Sequence, residues 1–573
     1  MFRVVFAAAP DIVFDMFNAC IEGGCFPSQW KEARMVVLPK GDDKDPADVR
    51  SYRGISLLPV AGKVLERIMV ERLNLVYEPY MSSRQFGFRT GKGVDDAWHH
   101  VMEFVRASTA KYVLGVFVDF KGAFDYLRWP KVLERLRDIQ CNELALWSSY
   151  FCDRVAYVVG KHDTVQRGVS RGCPQGSVCG PIIWNMMMDV LLQQLELRCE
   201  ACAYADDLLL LIEGRNRREL EVKASSLMEI VREWGLSAGV QVAHEKCATM
   251  LLKGKLDGHY PTVKVGSHNI RYSKVVRYLG IHTSERLNFT PHFATVKEKL
   301  AGIIGRLRRI MVVEWGLSRR SVGVLYGGLL VACAIFGCPA WCAAVLTPTG
   351  RRKILAVQRV MLQGCVGVCH TVSTDALQVL GGAPPLDLVV LMRTIVFRLK
   401  RGLPLDGLPH LGDGLRTLGS KDRKALLSEY VHERWQERWD GSSNGRVTYQ
   451  FIRDVRFVGN NPSFKFNLGL GFLLTGHGSL NAFLSARGLS DTSQCACGSP
   501  SEDWLHVLCV CPLYAGIRDL SSMGVTRVGD SFDVGGALVN SDSVMALNEF
   551  AKRAFLMRRL NRAYHQADDG HAS

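Results

Sequence analysis

Between residues 201 and 212 the chain reads Ala201-Cys202-Ala203-Tyr204-Ala205-Asp206-Asp207-Leu208-Leu209-Leu210-Leu211-Ile212, an apolar run broken by two adjacent carboxylates. A core tolerates no uncompensated charge, so the flanks read as buried strands and the carboxylates as the tight turn joining them. A pair held so close needs a cation. Upstream, the apolar run Val116-Phe117-Val118 ends abruptly in Asp119. If that strand lies beside the hairpin, Asp119, Asp206 and Asp207 converge and hold two Mg²⁺ ions about 4 Å apart, as phosphoryl transfer to a hydroxyl requires. Taken singly, an Asp-Asp after a strand reads as a solvated turn. The segments around it give it weight.

With 573 residues and 48% hydrophobic composition, the chain has material for three or four packed cores. Lys and Arg exceed Asp and Glu by 71 to 56, a net charge of +15 that favours nucleic acid over an anionic membrane surface. Most of the 18 cysteines sit singly in apolar runs, which points to a reducing, intracellular compartment. Residues 1–10 are too short for a secretory core, and the chain reads as cut from something longer. Residues 321–350 carry no charge and by length alone span a bilayer. Gly327, Gly328, Gly337 and Pro339 interrupt the stretch, so a buried helix pair is expected and no membrane partner.

Residues 1 to about 110 read as helices and short loops, with Val64, Leu65, Ile68, Met69 and Leu73 on one helical face and a charged turn at 41–48. From 111 to about 281, apolar strands alternate with helices, an α+β pattern. Beyond Pro291 the chain turns helical and basic (Arg306, Arg308, Arg309, then Arg351, Arg352, Lys353), and after about Leu403 a Gly-, Asp- and Leu-rich connector is expected. Cys495, Cys497, His506 and Cys511 offer three thiolates and an imidazole for one Zn²⁺, with Cys509 spare; the Cys-x-Cys spacing is tight, and a metal-free thiol-rich loop is the other reading. The final segment sets Lys552, Arg553, Arg558, Arg559 and Arg562 opposite Leu547, Phe550, Ala551 and Ala554. Phosphate contacts and a solvated helix face over a core stripe are equally compatible with that pattern.

The Asp119 strand, Arg171-Gly172-Cys173-Pro174-Gln175-Gly176-Ser177 and Tyr204-Ala205-Asp206-Asp207 together resemble the palm motifs of reverse transcriptases. Trp30-Lys31-Glu32-Ala33, Ser51-Tyr52-Arg53-Gly54-Ile55-Ser56-Leu57-Leu58 and Gln85-Phe86-Gly87-Phe88-Arg89 resemble segments of non-LTR retrotransposons, above all the Pol proteins of type-1 elements that insert into ribosomal RNA genes. The resemblance runs from about Phe17 to Arg518. It implies a right-hand polymerase: fingers with part of the palm in 1–110, the palm in 111–285, a helical thumb in 286–402, a connector in 403–488, a Cys/His zinc-knuckle-like motif in 489–520 and a basic helical tail in 521–573.

Carried over by position, the resemblance makes Asp119, Asp206 and Asp207 the Mg²⁺ ligands and Lys246 the general acid for departing pyrophosphate. No Asn precedes Lys246 where relatives have one. Phe124 matches the gate against a ribose 2′ hydroxyl, although an ordinary buried aromatic beside Phe120 is the plain alternative. Gln175 and Gly176 match the turn beneath the incoming base. Lys40 and Arg53 match the cations on the triphosphate, with Arg53-Gly54 where many relatives have Arg-Pro. Tyr278, Leu279 and Gly280 match the primer grip. The implied reaction adds deoxynucleotides to a DNA 3′ end at a nicked chromosomal target, in the nucleus, on an RNA template; no nuclease-like segment precedes the fingers, and an association of the C-terminal nucleic-acid-binding region with nicking stays open. An RNA-templated RNA polymerase, a remnant that only binds nucleic acid and a membrane protein are the rival readings.

Overall fold

In a computed structural model of the chain, residues 2–41, 45–48, 51–160, 162–308, 319–409, 413–461 and 464–569 are described. They form two compact units that divide between Asn288 and Phe289. The first carries strands β1 (Glu32–Pro39), β2 (Tyr52–Leu57), β3 (Tyr112–Val118), β4 (Phe120–Lys121), β5 (Arg154–Val159), β6 (Thr164–Val169) and β7 (Glu200–Tyr204). It continues with β8 (Asp207–Gly214), β9 (Gln241–Val242), β10 (Ala248–Lys253), β11 (Val263–Val265), β12 (His268–Tyr272), β13 (Val275–Tyr278) and β14 (Ile281–Ser284).

The continuously apolar β3 is buried at every position and lies inside a six-stranded sheet of order β11-β12-β10-β3-β8-β7. A strand covered on both faces needs no alternation, which is why its sequence shows none. Leu114, Val116 and Val118 enter the main core with Met186, Leu191, Leu227 and Met228 from the helices Gly180–Glu196 and Arg217–Ala238. On the opposite face Phe117 meets Tyr278, with ring centroids 5.5 Å apart, and Tyr278 meets Trp98 at 5.6 Å.

A second sheet, β2-β1-β5-β6, joins β1 to β5 in parallel across more than a hundred residues of sequence. It corrects the expectation of helices and short loops before residue 110: β1 is mostly exposed, so burial imprinted no clear alternation on it. The expected helical face is present, with Leu65, Met69 and Leu73 buried on the helix Val60–Tyr77.

In the second unit, residues 321–350 form helices Ser321–Ala334 and Cys338–Leu346, bent by 84° where Gly337 takes a left-handed conformation just before Pro339. The expected burial holds for the second of these, whose Trp341 and Cys342 are enclosed, but Val324 and Phe336 face outward. Among the described residues no single helix is long and apolar enough to cross a membrane, while three bent pairs pass by length and composition. Residues 403–488 contribute the helix Ser420–Gly441, whose Trp435 and Trp439 enter the same core as Leu508, Leu547 and Phe550. The Gly- and Asp-rich composition there reflects the turns between helices. Arg309 and the side chain of Arg562 lie outside the described residues.

Candidate active site

The register of β7 on β8 ends with Tyr204 opposite Asp207, leaving Ala205 and Asp206 as a two-residue turn. Ala205 has φ +56°, the left-handed region that a residue with a Cβ resists, and the turn keeps this hairpin tight. Val118 pairs with Leu208, so the next residue, Asp119, leaves the sheet at the end where Asp207 stands. The three carboxylates influence one another. Burial, then the charge of Asp119, pushes the Asp206 carboxyl up, with Arg53 and Lys246 opposing. Burial, then Asp206 and Asp119, pushes Asp207 up to about 6, with Arg277 opposing.

Hard carboxylate oxygens under mutual repulsion fit a divalent cation such as Mg²⁺, whose charge offsets that repulsion. Lys246 reaches the same place, its Nζ 3.5 Å from Asp119 Oδ1. The turn that carries it is tied to the end of β3: Ala243 N donates to Asp119 O at 2.9 Å, and Lys246 N donates to Ala243 O at 2.8 Å.

A cavity of about 600 Å³ opens beside Asp206, lined by Lys40, Arg53, Phe124, Gln175 and Gly176. All five residues picked for nucleotide contact therefore share one wall system. Phe124 is half-buried, with its ring 5.2 Å from Trp184 and 6.1 Å from Phe88, so it is braced from behind and bare toward the cavity. Gly176 has φ +118°, and a Cβ there would lie 2.5 Å from Ser56 O. That close approach lets Gln175 O accept from Ser56 N at 2.7 Å, seating the loop against β2. Gln175 Nε2 donates to Asp125 Oδ1 at 3.0 Å.

At the other predicted turn, Leu279 (φ +46°) and Gly280 (φ +81°) cap the β13–β14 hairpin. Tyr278 is enclosed and its hydroxyl donates to Cys202 O at 3.2 Å. It anchors the hairpin from within the core, leaving the turn residues Leu279 and Gly280 half-buried.

Sequence reasoning missed three buried polar residues that hold this region. Glu66 accepts from Val178 N at 2.6 Å and from Ser177 Oγ at 3.1 Å, and burial pushes its carboxyl up. Gln85 and Asn185 brace the turn at Ala205 and Asp206, Gln85 directly and Asn185 through Gly87. A polar residue inside an apolar helical stripe was the available signal, visible at Asn185 among Trp184, Met186 and Met187.

In the second unit, Cys495, Cys497, His506 and Cys511 place one donor atom each within 4.8 Å of the others. Among the described residues this is the only group of three or more such donors gathered so closely; the aspartates stand wider. Cys497 Sγ is 3.3 Å from His506 Nε2 and Cys495 Sγ is 3.7 Å from Cys511 Sγ. Burial lowers the His506 pKa, favouring the neutral ring that ligates metal. Three thiols and an imidazole fit a tetrahedral soft-metal site, and Cys509 packs into the core beside it. Arg558, read from the sequence equally as a phosphate contact or as part of a solvated face, is neither: it is buried in an ion pair with Glu502 and donates to Asn481 Oδ1 at 2.8 Å. Lys552, Arg553 and Arg559 remain exposed over the core stripe of Leu547, Phe550, Ala551 and Ala554.

Residues 38–283 match the family described as "Reverse transcriptase (RNA-dependent DNA polymerase)". The chain is 48% identical to the 115 kDa protein of the type-1 retrotransposable element R1DM of Drosophila melanogaster, over 97% of this chain and 55% of that protein. It is 41% identical to the Pol polyprotein of the type-1 element R1 of Bradysia coprophila, over 97% of this chain and 56% of that protein. It is 38% identical to the Pol polyprotein of the type-1 element R1 2 of Nasonia vitripennis, over 68% of this chain and 96% of that protein. The chain thus spans about half the length of the first two of these relatives.

Proposed function

Because this chain belongs to the Pol proteins of type-1 retrotransposable elements and carries their reverse transcriptase domain, we propose that it extends a DNA primer on an RNA template. The observation that carries the reading is the meeting of Asp119 with Asp206 and Asp207 beside a cavity lined by Lys40, Arg53 and Phe124. Asp119, Asp206 and Asp207 would hold two Mg²⁺ ions, which when bound acidify the primer hydroxyl and balance the charge of the triphosphate. Lys40 and Arg53 hold the triphosphate through charge-assisted hydrogen bonds. Phe124, braced by Trp184, occupies the space a ribose 2′ hydroxyl needs and so selects deoxynucleotides. Gln175 and Gly176 support the incoming base, and Leu279 and Gly280 hold the primer end, with Tyr278 as their anchor. Lys246, now paired with Asp119, hands a proton to the departing pyrophosphate.

The same reading assigns fingers, palm and thumb to residues 1–110, 111–285 and 286–402, and places the reaction in the nucleus at a nicked chromosomal target. The Cys/His cluster would hold Zn²⁺ and support nucleic-acid binding with the exposed cations of the last helix. Primer extension on an RNA template, supplied with deoxy- or ribonucleotides and run for wild type and Asp206→Asn, tests it. Deoxynucleotide extension by wild type alone is expected. Extension by Asp206→Asn near the wild-type rate would sink the mechanism, and nucleic-acid binding without any extension would leave a binding remnant.

A further inference from the structure

The segment Gln85-Phe86-Gly87 has no part in the chemistry above, yet it is wired into the catalytic turn. Residues 84–86 run along the outer edge of β7: Ala203 N donates to Arg84 O at 2.9 Å, and Phe86 N donates to Ala203 O at 2.8 Å. Gln85 is fully buried. Its Oε1 accepts two amides, Gly87 N at 2.9 Å and Ala205 N at 3.1 Å. Ala205 is the left-handed residue immediately before Asp206. A backbone strained in this way persists only when its surroundings fix it, and here a side chain 120 positions away does so.

The elbow at Gly87 is equally constrained. A Cβ there would lie 2.8 Å from Tyr204 C and closer still to Ala205 N, so glycine alone lets the segment approach the turn. Asn185, buried on the helix Gly180–Glu196, donates its Nδ2 to Gly87 O at 2.9 Å and holds the elbow in place. Gln85 Nε2 is buried with no partner among the described residues. The position therefore requires the acceptor oxygen, and a neutral acceptor adds no further negative charge beside three aspartates.

We infer that Gln85, held in register by Asn185 through the Gly87 elbow, is a positioning residue for nucleotidyl transfer that fixes the Ala205 amide and so aims Asp206 and Asp207. The inference rests on the polymerase reading. Loosening the turn changes the donor geometry offered to the cation and to the primer end, while Lys40, Arg53, Gln175 and Gly176 on the other walls of the cavity make no hydrogen bond with Gln85. Groups that orient metal ligands matter nearly as much as the ligands themselves.

The test uses the full chain as wild type, Gln85→Met and Asn185→Ala. Hydrogen exchange of the segment 203–208 is read in metal-free protein, and Mg²⁺ titrations of primer extension are read alongside. Gln85→Met keeps length and burial but removes the acceptor. It is expected to speed exchange in that segment while the rest of β3 and β8 stays protected, to raise the half-saturating Mg²⁺ severalfold, and to lower kcat about 10–100-fold, with the deoxynucleotide KM within about twofold. Asn185→Ala moves the same readouts in the same direction by less, and keeps the question open to test if the first variant folds poorly. Unchanged exchange at 203–208, or activity lost only in proportion to folded protein with an unchanged Mg²⁺ midpoint, overturns the inference. A wild-type protein that extends no primer counts against the polymerase reading, while the exchange measurement still reports on Gln85.

Discussion

At the aspartate turn the donors are hard oxygens standing apart beside an open cavity, whereas in the Cys/His cluster four softer donors already lie within 4.8 Å of one another. The first arrangement, with a cation bound, would leave coordination positions to substrate oxygens and water, as the proposed chemistry requires. The second, were it to take an ion, would close on it with four protein donors and leave nothing to exchange, the pattern of a site that holds a fold together. The supports differ in the same sense. A strained hairpin and distant braces carry the aspartates, while local turns and a buried ion pair, Glu502 with Arg558, frame the thiols. Similar chemical demands thus reach opposite architectures according to whether the ion must act or only bind.

Changing one ligand in each centre exposes the contrast most sharply. Asp206→Asn is expected to lower the extension rate about a thousandfold or more while circular dichroism and protease resistance stay as in wild type. A large loss of folded protein would mean the turn is structural after all. At the other centre Cys511→Ser, or treatment with a strong chelator, should lower the thermal midpoint of the second unit by about 5–10 °C and open residues 489–569 to proteolysis. Limited digestion followed by mass spectrometry checks this, and unchanged cleavage would favour a metal-free loop.

Phe124→Ala probes the cavity, with an expected fall of about 10–100-fold in preference for deoxy- over ribonucleotides, read as a ratio of kcat/KM values. The smallest effect concerns the cost of holding the aspartates together. Asp207 titrates near 6 in the fold, above its ordinary value of 3.8. The folded state therefore keeps that proton more tightly than the unfolded chain, and the associated stability is present below the ordinary value and lost as pH rises through about 6. Metal-free Asp207→Asn should melt about 1–2 °C higher than wild type near pH 8 and no higher near pH 4, in differential scanning calorimetry. Added Mg²⁺ should stabilise wild type and leave the variant nearly unmoved.

Features with a local cause were readable before the structure. Two carboxylates between apolar runs have few homes other than a turn, and Asp119 at the end of β3 follows from the same reasoning, so the three aspartates and the central strand were legible. Lys40 and Arg53 were reached only through resemblance to known polymerases, since an isolated cation in a fingers segment looks like any surface charge. The pairing of β1 with β5 was not legible, because a parallel contact so distant in sequence imposes no periodicity on either strand when one is mostly exposed. Gln85 was quoted as part of a motif without a role. Its two acceptor bonds, one to a residue 120 positions on, exist only once the chain has folded. The basic tail was half legible: its apolar stripe predicted a docked helix, but nothing in the spacing of Arg558 distinguishes it from its exposed neighbours, and its burial depends on Glu502.

That last pairing governs how shortened versions of the protein will behave. A stop codon just before residue 558 takes away the cation buried against the Glu502 carboxylate beside the thiol cluster, a defect of about 3–5 kcal/mol before any nucleic acid is involved. Deletions of the last helix will therefore report collapse of the neighbouring Cys/His cluster, and charge-reversal of Lys552, Arg553 and Arg559 with the helix intact is the cleaner test of whether these cations meet nucleic acid.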